Sequence, residues 1–248
     1  MIPKTIHYCW FGRNPLPKDA RKCIASWRKY FPDHEIKEWN EDNFDVSCNK
    51  YVEDAYRQKK YAFVSDYARF RVLHDHGGVY FDTDVEVIRP MDRIIAAGPF
   101  MGFEKSLATN GHGRSGGLGV NPGLGMAAEP GMPWMKAILD YYDRITFDIS
   151  EGTIVYHTTR LLASEGLKDE NKVQHVAGFT IYPDDYLCPM DSTTGIVTKT
   201  GNTVSIHHYS CSWMDHDTLS FRLHLLKNKL IKIFGPTAIM RVARLLKR

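Results

Sequence analysis

Strand-like and helix-like patterns succeed one another along the first third of the chain. Residues 5–11 and 35–39 alternate apolar and polar positions and predict two strands. Between them, residues 19–30 place their apolar side chains, Trp27 among them, at helical spacing. The chain therefore opens with a β-α-β unit.

The helical pattern returns at residues 50–75 and is strongest over residues 62–73. Gly77 and Gly78 follow it and predict the end of a helix, because glycine tolerates the left-handed backbone that a C-cap needs. Residues 79–81 then predict a short buried strand, and residues 85–88 a further one that Pro90 stops. This alternation predicts an α/β fold with a mixed sheet flanked by helices.

Composition permits a sizeable core in one domain, since 43% of the 248 residues are hydrophobic. Five cysteines without a C-x-x-C pair favour a reducing compartment and no structural zinc. No apolar run approaches the roughly 20 residues of a transmembrane helix, and no signal peptide is recognisable. We therefore expect a cytoplasmic protein.

Charge is distributed unevenly. Residues 222–248 contain eight Lys or Arg and no acid, which leaves 24 basic against 29 acidic residues before them. Apolar residues at helical spacing on either side of Gly235 and Pro236 predict two basic amphipathic helices in this tail. We divide the chain into a domain of residues 1–221 and a tail of residues 222–248. The tail either contacts the inner face of an anionic membrane or packs on the body. Nucleic acid is not an expected partner, because the rest of the chain is acidic.

Residues 111–133 are rich in glycine and contain G-x-G-x-x-G and G-x-S-x-G by letter. A dinucleotide fingerprint must open a helix after a strand, and a nucleophile elbow needs a strand, a turn and a helix. Further glycines and Pro122 follow instead. Both matches are accidental on this interpretation, and we expect a flexible loop beside a site.

Asp82 and Asp84 form a D-x-D at the end of the predicted strand 79–81. Open α/β sheets place ligands at the carboxyl ends of their strands, and paired carboxylates bind hard divalent cations. Asp66 and Arg69, three residues apart, share one face of the preceding helix. The simple alternative for Asp66 and Arg69 is a surface ion pair, which would contribute little to stability. The simple alternative for Asp82 and Asp84 is a solvated turn.

The string SDYARFRVLHDHGGVYFDTDV, with IPKTIHYCWFG near the start and SIHHYSCSW near residue 210, resembles glycosyltransferase family 32. The resemblance extends from about residue 2 to about residue 214. It implies a GT-A fold and transfer of a sugar from a UDP- or GDP-sugar donor to a saccharide acceptor, with Mn²⁺ or Mg²⁺ as cofactor. A lipid-linked acceptor in surface polysaccharide synthesis would account for the basic tail.

The resemblance also implies site residues. Asp84 would be the principal metal ligand, and Asp82 would bind the donor and the metal's water shell. Asp66 would bind the hydroxyls of the transferred sugar, and Arg69 would bind the phosphate side of the donor. Trp10 would stack on the base. Ser212 and Trp213 would contact the diphosphate, although a core tryptophan is an equal alternative.

A late histidine would complete the metal sphere. His207 and His208 are adjacent on a predicted strand, residues 204–209, so only one of them can face the metal. We favour His208, with His207 as the competitor and a purely structural pair as a further possibility.

No isolated carboxylate stands out as a nucleophile, so we favour retention by a front-face route in which the leaving phosphate deprotonates the acceptor. A nucleotide-sugar hydrolase is one alternative function. A noncatalytic carbohydrate-binding protein is another, although it would not need the complete set of acidic residues and histidine.

Overall fold

The computed structural model describes residues 1–105, 117–192 and 194–210. Its helices are α1 (Lys18–Tyr30), α2 (Lys50–Arg57), α3 (Tyr61–His76), α4 (Asp92–Ala96), α5 (Pro133–Tyr142), α6 (Ile154–Ser164) and α7 (Asp184–Leu187). Its strands are β1 (Thr5–Cys9), β2 (Glu35–Trp39), β3 (Gly78–Tyr80), β4 (Val85–Val87), β5 (Phe100–Lys105), β6 (Leu118–Val120), β7 (Met126–Ala128), β8 (Gln174–Val176), β9 (Phe179–Tyr182) and β10 (Ser205–His207).

The main sheet is mixed and has the strand order β2-β1-β3-β7-β5-β9-β8, with β6 paired to β5. β1 runs parallel to both β2 and β3, whereas β7 runs antiparallel to β3. β4 leaves this sheet and pairs antiparallel with β10 in a two-stranded ladder. The first three strands thus share a carboxyl edge, which is where ligands bind in open α/β sheets.

Two apolar clusters lie on the two faces of the main sheet. One packs α2, α3, α5 and α6, and the other packs α1, α4 and α7. Successive residues of a strand enter opposite clusters, as Val79 and Tyr80 do on β3. The expected α/β class with a mixed sheet flanked by helices is confirmed.

Element boundaries differ from the expected ones where local backbone chemistry intervenes. The helical pattern over residues 50–75 is interrupted at residues 58–60, where Lys59 adopts a positive φ of 58°, and it forms α2 and α3. Gly77, with φ 63°, ends α3, and its N–H donates to the Leu73 carbonyl at 2.8 Å. The predicted cap at this glycine is therefore confirmed.

The glycine-rich segment was expected to be a flexible loop, and for its described part this is wrong. Residues 117–133 contain β6, a 3-10 turn at Pro122–Leu124 and β7, which inserts between β3 and β5. The small side chains of Ala127 and Ala128 suit β7, because successive residues of this buried strand enter the apolar clusters on opposite faces of the sheet.

The predicted tail helices of residues 222–248 lie outside the described residues. Within the described part of the chain, no helix combines the length and apolarity needed to cross a bilayer.

Candidate metal centre

A tight turn between β3 and β4 carries the two aspartates of the D-x-D. The Val85 N–H donates to the Asp82 carbonyl at 3.0 Å and closes this turn. β4 then pairs with β10, which places His207 opposite Val85. The ladder brings the end of the described chain, more than a hundred residues downstream, against the acidic turn.

Asp82, Asp84 and His207 offer ligand atoms that all lie within 4.8 Å of one another. The Nε2 atom of His207 is 3.2 Å from Oδ1 of Asp84. The other carboxylate oxygen of Asp84 accepts the backbone N–H of Ser210 at 2.7 Å. The site is therefore built from the acidic turn and the segment around β10, and the Asp84 carboxylate links these two parts of the chain.

The expectation that His208 faces the aspartates is wrong. His208 points to the other side of β10, where its Nε2 atom lies 2.9 Å from the exposed Glu86 carboxylate. The two histidines do point to opposite sides, but the alternation of side chains along a strand does not determine which of them faces the aspartates. The register of β10 against β4 turns His207 inward, with only 7% of its surface exposed.

Arg69 lies beneath Asp82 and carries a positive charge into the protein. It donates to Asp66 at 2.9 Å and to the Ser65 carbonyl at 3.0 Å, and its guanidinium lies 3.3 Å from Asp82. The guanidinium also stacks over the Tyr80 ring, 4.8 Å from its centroid. The helical spacing of Asp66 and Arg69 thus produces a buried pair at the site and not a surface ion pair.

The turn at Pro122–Leu124 supports Asp82 from the other side. The Gly123 carbonyl accepts the Asp82 N–H at 3.1 Å, and a Cβ atom at residue 123 would lie 2.0 Å from Oδ2 of Asp82. Any side chain here would displace the carboxylate. The Asn121 side chain caps this turn by accepting the Gly123 N–H at 2.7 Å.

The crowding of charge shifts the pKa values of several groups. Burial raises the pKa of Asp66 to about 7, although Arg69 opposes this shift. Burial would also raise the pKa of Asp84, but His207 and Ser210 hold it well below its usual range. Burial would lower the pKa of His207, yet the carboxylates of Asp84, Asp82 and Glu104 raise it to about 9. In the metal-free protein His207 is therefore a cation at neutral pH.

The donor set fits a divalent cation. Two carboxylate oxygens and one imidazole nitrogen suit Mn²⁺ or Mg²⁺ when phosphate and water oxygens complete the sphere. The buried Nδ1 atom of His207 has no hydrogen-bond partner among the described residues.

The remaining predicted site residues are placed as follows. Trp10 directly follows β1, is partly buried, and donates its indole N–H to the Asn14 carbonyl at 2.6 Å. Stacking of Trp10 on a base stays a prediction. Ser212 and Trp213 lie outside the described residues.

Sequence reasoning missed three residues that surround the cluster. Glu104 on β5 accepts hydrogen bonds from Asn121 and Tyr209, and Gly123 contacts Asp82 as described above. Tyr209 adopts a positive φ of 49°, which a tyrosine rarely does. Only the glycine-rich composition of residues 111–133 was a detectable signal, and we interpreted it as a flexible loop beside a site.

Comparison with known families gives a match over this region. Residues 17–101 match the glycosyltransferase sugar-binding region containing the DXD motif. The matched segment extends from the start of α1 into β5 and includes Asp66, Arg69, Asp82 and Asp84.

Two curated relatives match part of the chain. An uncharacterized glycosyltransferase of Acanthamoeba polyphaga mimivirus is 30% identical over 109 residues, which are 40% of this chain and 42% of that protein. Inositol phosphoceramide mannosyltransferase 1 of Schizosaccharomyces pombe is 26% identical over 111 residues, which are 40% of this chain and 33% of the relative. The matches thus span less than half the length of either relative.

Solved structures with some likeness include PaToxG glycosyltransferase, at 17% identity and a TM-score of 0.47 over 66% of this chain and 70% of that one. The galactosyltransferase LgtC, determined with donor and acceptor sugar analogues, gives 12% identity and a TM-score of 0.44 over 83% of this chain and 87% of its own. At these identities and TM-scores the overall likeness is weak.

The charged state of His207 predicts how stability depends on pH. Because its pKa is raised to about 9 from an ordinary 6.5, the pairing with Asp84 stabilises the fold fully below about pH 6.5. That contribution is lost as the pH rises toward about 9. We expect the melting temperature of the protein in EDTA to fall across this interval, and the slope to be shallower in His207→Gln.

His208→Gln is the control for this slope, because it removes the neighbouring imidazole and leaves the Asp84 pair intact. We expect it to keep the wild-type slope. Equal slopes in His207→Gln and the wild type would contradict the assignment of a charged His207.

Proposed function

We propose that this protein, whose residues 17–101 match the glycosyltransferase sugar-binding region containing the DXD motif, is a cation-dependent glycosyltransferase. The observation that carries this proposal is the convergence of Asp82, Asp84 and His207 at the carboxyl edge of the sheet. The donor is a nucleoside diphosphate sugar, and the acceptor is the hydroxyl of a saccharide.

A cleaved sugar-diphosphate bond leaves negative charge on the diphosphate. A divalent cation, when bound, stabilises that charge. Asp84, His207 and Asp82 would hold the cation, and manganese suits this mixed set of oxygen and nitrogen donors. His207 is buried and belongs to the β4–β10 ladder, whereas Asp84 is partly buried and accepts the backbone N–H groups of His208 and Ser210.

Asp66 and Arg69 lie next to Asp82 and suit the sugar side of the donor. We assign the sugar hydroxyls to Asp66 and the phosphate side to Arg69, whose planar fork pairs with two oxygens at once. In the metal-free protein the fork is occupied by Asp66, Asp82 and the Ser65 carbonyl. For Arg69 to reach a phosphate oxygen, its contact with Asp82 must therefore be exchanged.

We further propose that transfer retains the anomeric configuration. The bond between the anomeric carbon and the phosphate oxygen breaks, and the acceptor oxygen bonds to the same face. The acceptor proton passes to the leaving phosphate oxygen, so no protein nucleophile is required. Trp10, at the carboxyl end of β1, is our candidate for stacking on the donor base.

The first test is turnover of UDP- and GDP-sugars with Mn²⁺, with and without saccharide acceptors. Asp84→Asn keeps the shape of the side chain and removes its charge. Since such cations contribute several kcal/mol, we expect turnover to fall at least about 100-fold. A discontinuous assay of released nucleoside diphosphate measures it.

Glu86→Gln is the matched control, because Glu86 lies two residues further along and faces the opposite side toward His208. A change of no more than about twofold is expected for it. Equal turnover in Asp84→Asn and the wild type would refute the proposed site.

The stereochemical proposal has its own test. Proton NMR of the earliest transfer product should show the anomeric coupling of the donor sugar preserved. An inverted anomeric centre would exclude the front-face route.

The basic tail suggests where the acceptor is presented. We propose that residues 222–248 contact an anionic membrane surface, since each basic residue near such a surface contributes about 1 kcal/mol. A triple variant of the full chain, with the substitutions Lys227→Gln, Lys229→Gln and Lys232→Gln, should bind phosphatidylserine vesicles at least about tenfold more weakly. Co-sedimentation measures the binding, with phosphatidylcholine vesicles as control. Equal sedimentation of variant and wild type would support packing of the tail on the body.

A further inference from the structure

Glu104 lies beside the candidate metal centre without belonging to it. It is a partly buried residue of β5, and one of its carboxylate oxygens, Oε2, accepts two hydrogen bonds. The Tyr209 hydroxyl donates at 3.0 Å, and the Asn121 side-chain amide donates at 2.9 Å. These two donors belong to segments that are far apart in sequence and that both contain neighbours of the metal centre.

The Asn121 arm leads to Asp82. The oxygen of the Asn121 side chain accepts the Gly123 N–H, and the Gly123 carbonyl accepts the Asp82 N–H. The amide of Asn121 is thereby fixed in one orientation by an acceptor at one end and a donor at the other. Gly123 in turn leaves no free space behind the Asp82 carboxylate.

The Tyr209 arm leads to His207. Their ring centroids lie 4.3 Å apart, so the tyrosine ring packs against the imidazole that completes the cluster. Tyr209 stands in a left-handed backbone conformation that its side-chain contacts must maintain. Its hydroxyl contacts both Glu104 and the Cys188 sulfur, the latter at 2.9 Å.

We propose that Glu104 is a positioning residue of the cation site, which holds the Asp82 turn and His207 in one mutual arrangement through Asn121 and Tyr209. This inference depends on the proposed cation site. Residues that fix the orientation of metal ligands in this way commonly change metal affinity 10–100-fold when replaced. A carboxylate suits the position because a single oxygen can accept from two converging donors.

The test is Mn²⁺ binding by the full chain, measured from the EPR signal of free Mn²⁺. Glu104→Ala removes the shared acceptor, and we expect the dissociation constant to rise about 10–100-fold. Glu104→Gln retains an amide oxygen that can accept both bonds, so it should recover most of that loss. The spectrum of bound Mn²⁺ should broaden or split differently in Glu104→Ala, because the ligand geometry changes.

Gln174→Ala is a matched control. Gln174 is a buried residue of the edge strand β8, and its side chain bonds the backbone of Lys168 and Glu170. Its replacement removes a comparable set of hydrogen bonds. They lie at β8, which three strands separate from β3 in the sheet. We expect lower thermal stability with unchanged Mn²⁺ affinity and an unchanged spectrum.

Tyr209→Phe keeps the ring against His207 and removes only the hydroxyl. It therefore tests the role of the Glu104–Tyr209 hydrogen bond even if Glu104→Ala does not fold. Weaker Mn²⁺ binding by Tyr209→Phe is expected. If Asp84→Asn loses Mn²⁺ while Glu104→Ala and Tyr209→Phe bind within about threefold of the wild type, this inference is wrong and the cation site stands. If the wild type binds no Mn²⁺, the proposed cation dependence falls and this inference falls with it.

Discussion

Concentrated negative charge is the constraint on which the rest of the site depends. Asp66, Asp82, Asp84 and Glu104 converge at one edge of the sheet, and the described cations that balance them are Arg69 and His207. Burial raises the pKa of Asp66 and of Glu104, because water stabilises the charge of these two carboxylates poorly. A folded framework must hold these side chains in place to maintain such crowding. The framework is therefore as much a part of the site as the ligands.

Backbone hydrogen bonds provide that framework. The Asp82 N–H is fixed by the Gly123 carbonyl, and the Asp84 carbonyl accepts the His208 N–H at 3.0 Å. Both aspartates are thus held through main-chain bonds to segments far away in sequence, one in the glycine-rich region and one directly after β10. The glycine-rich stretch forms two ordered strands because β6 pairs with β5, and β7 pairs with β3 and β5.

The sequence predicted the local parts of this arrangement and missed the long-range ones. The Asp66–Arg69 pair follows from helical spacing, and the acidic turn follows from a glycine cap and a short apolar strand. The choice between His207 and His208 depends on the register of β10 against β4, which is set by pairing between distant strands and leaves no local signal. Glu104 was missed for the same reason, because its partners lie at residues 121 and 209. The loop expected over residues 111–133 was wrong for residues 117–133, because pairing with distant strands forms β6 and β7 there despite the glycine content.

The two aspartates are not equivalent. Asp84 is held by His207 at 3.2 Å and by the Ser210 N–H at 2.7 Å, and its side chain is 16% exposed. Asp82 is 29% exposed, and its contacts with Arg69 at 3.3 Å and with the Tyr80 hydroxyl at 3.1 Å are long for charge-assisted hydrogen bonds. Asp84 is consequently the more firmly held of the two carboxylates. If the proposed cation binds, it would take the place of the His207 proton as the counter-charge of Asp84, so its binding would release a proton. In the proposed donor complex, Arg69 would exchange its contact with Asp82 for a phosphate oxygen.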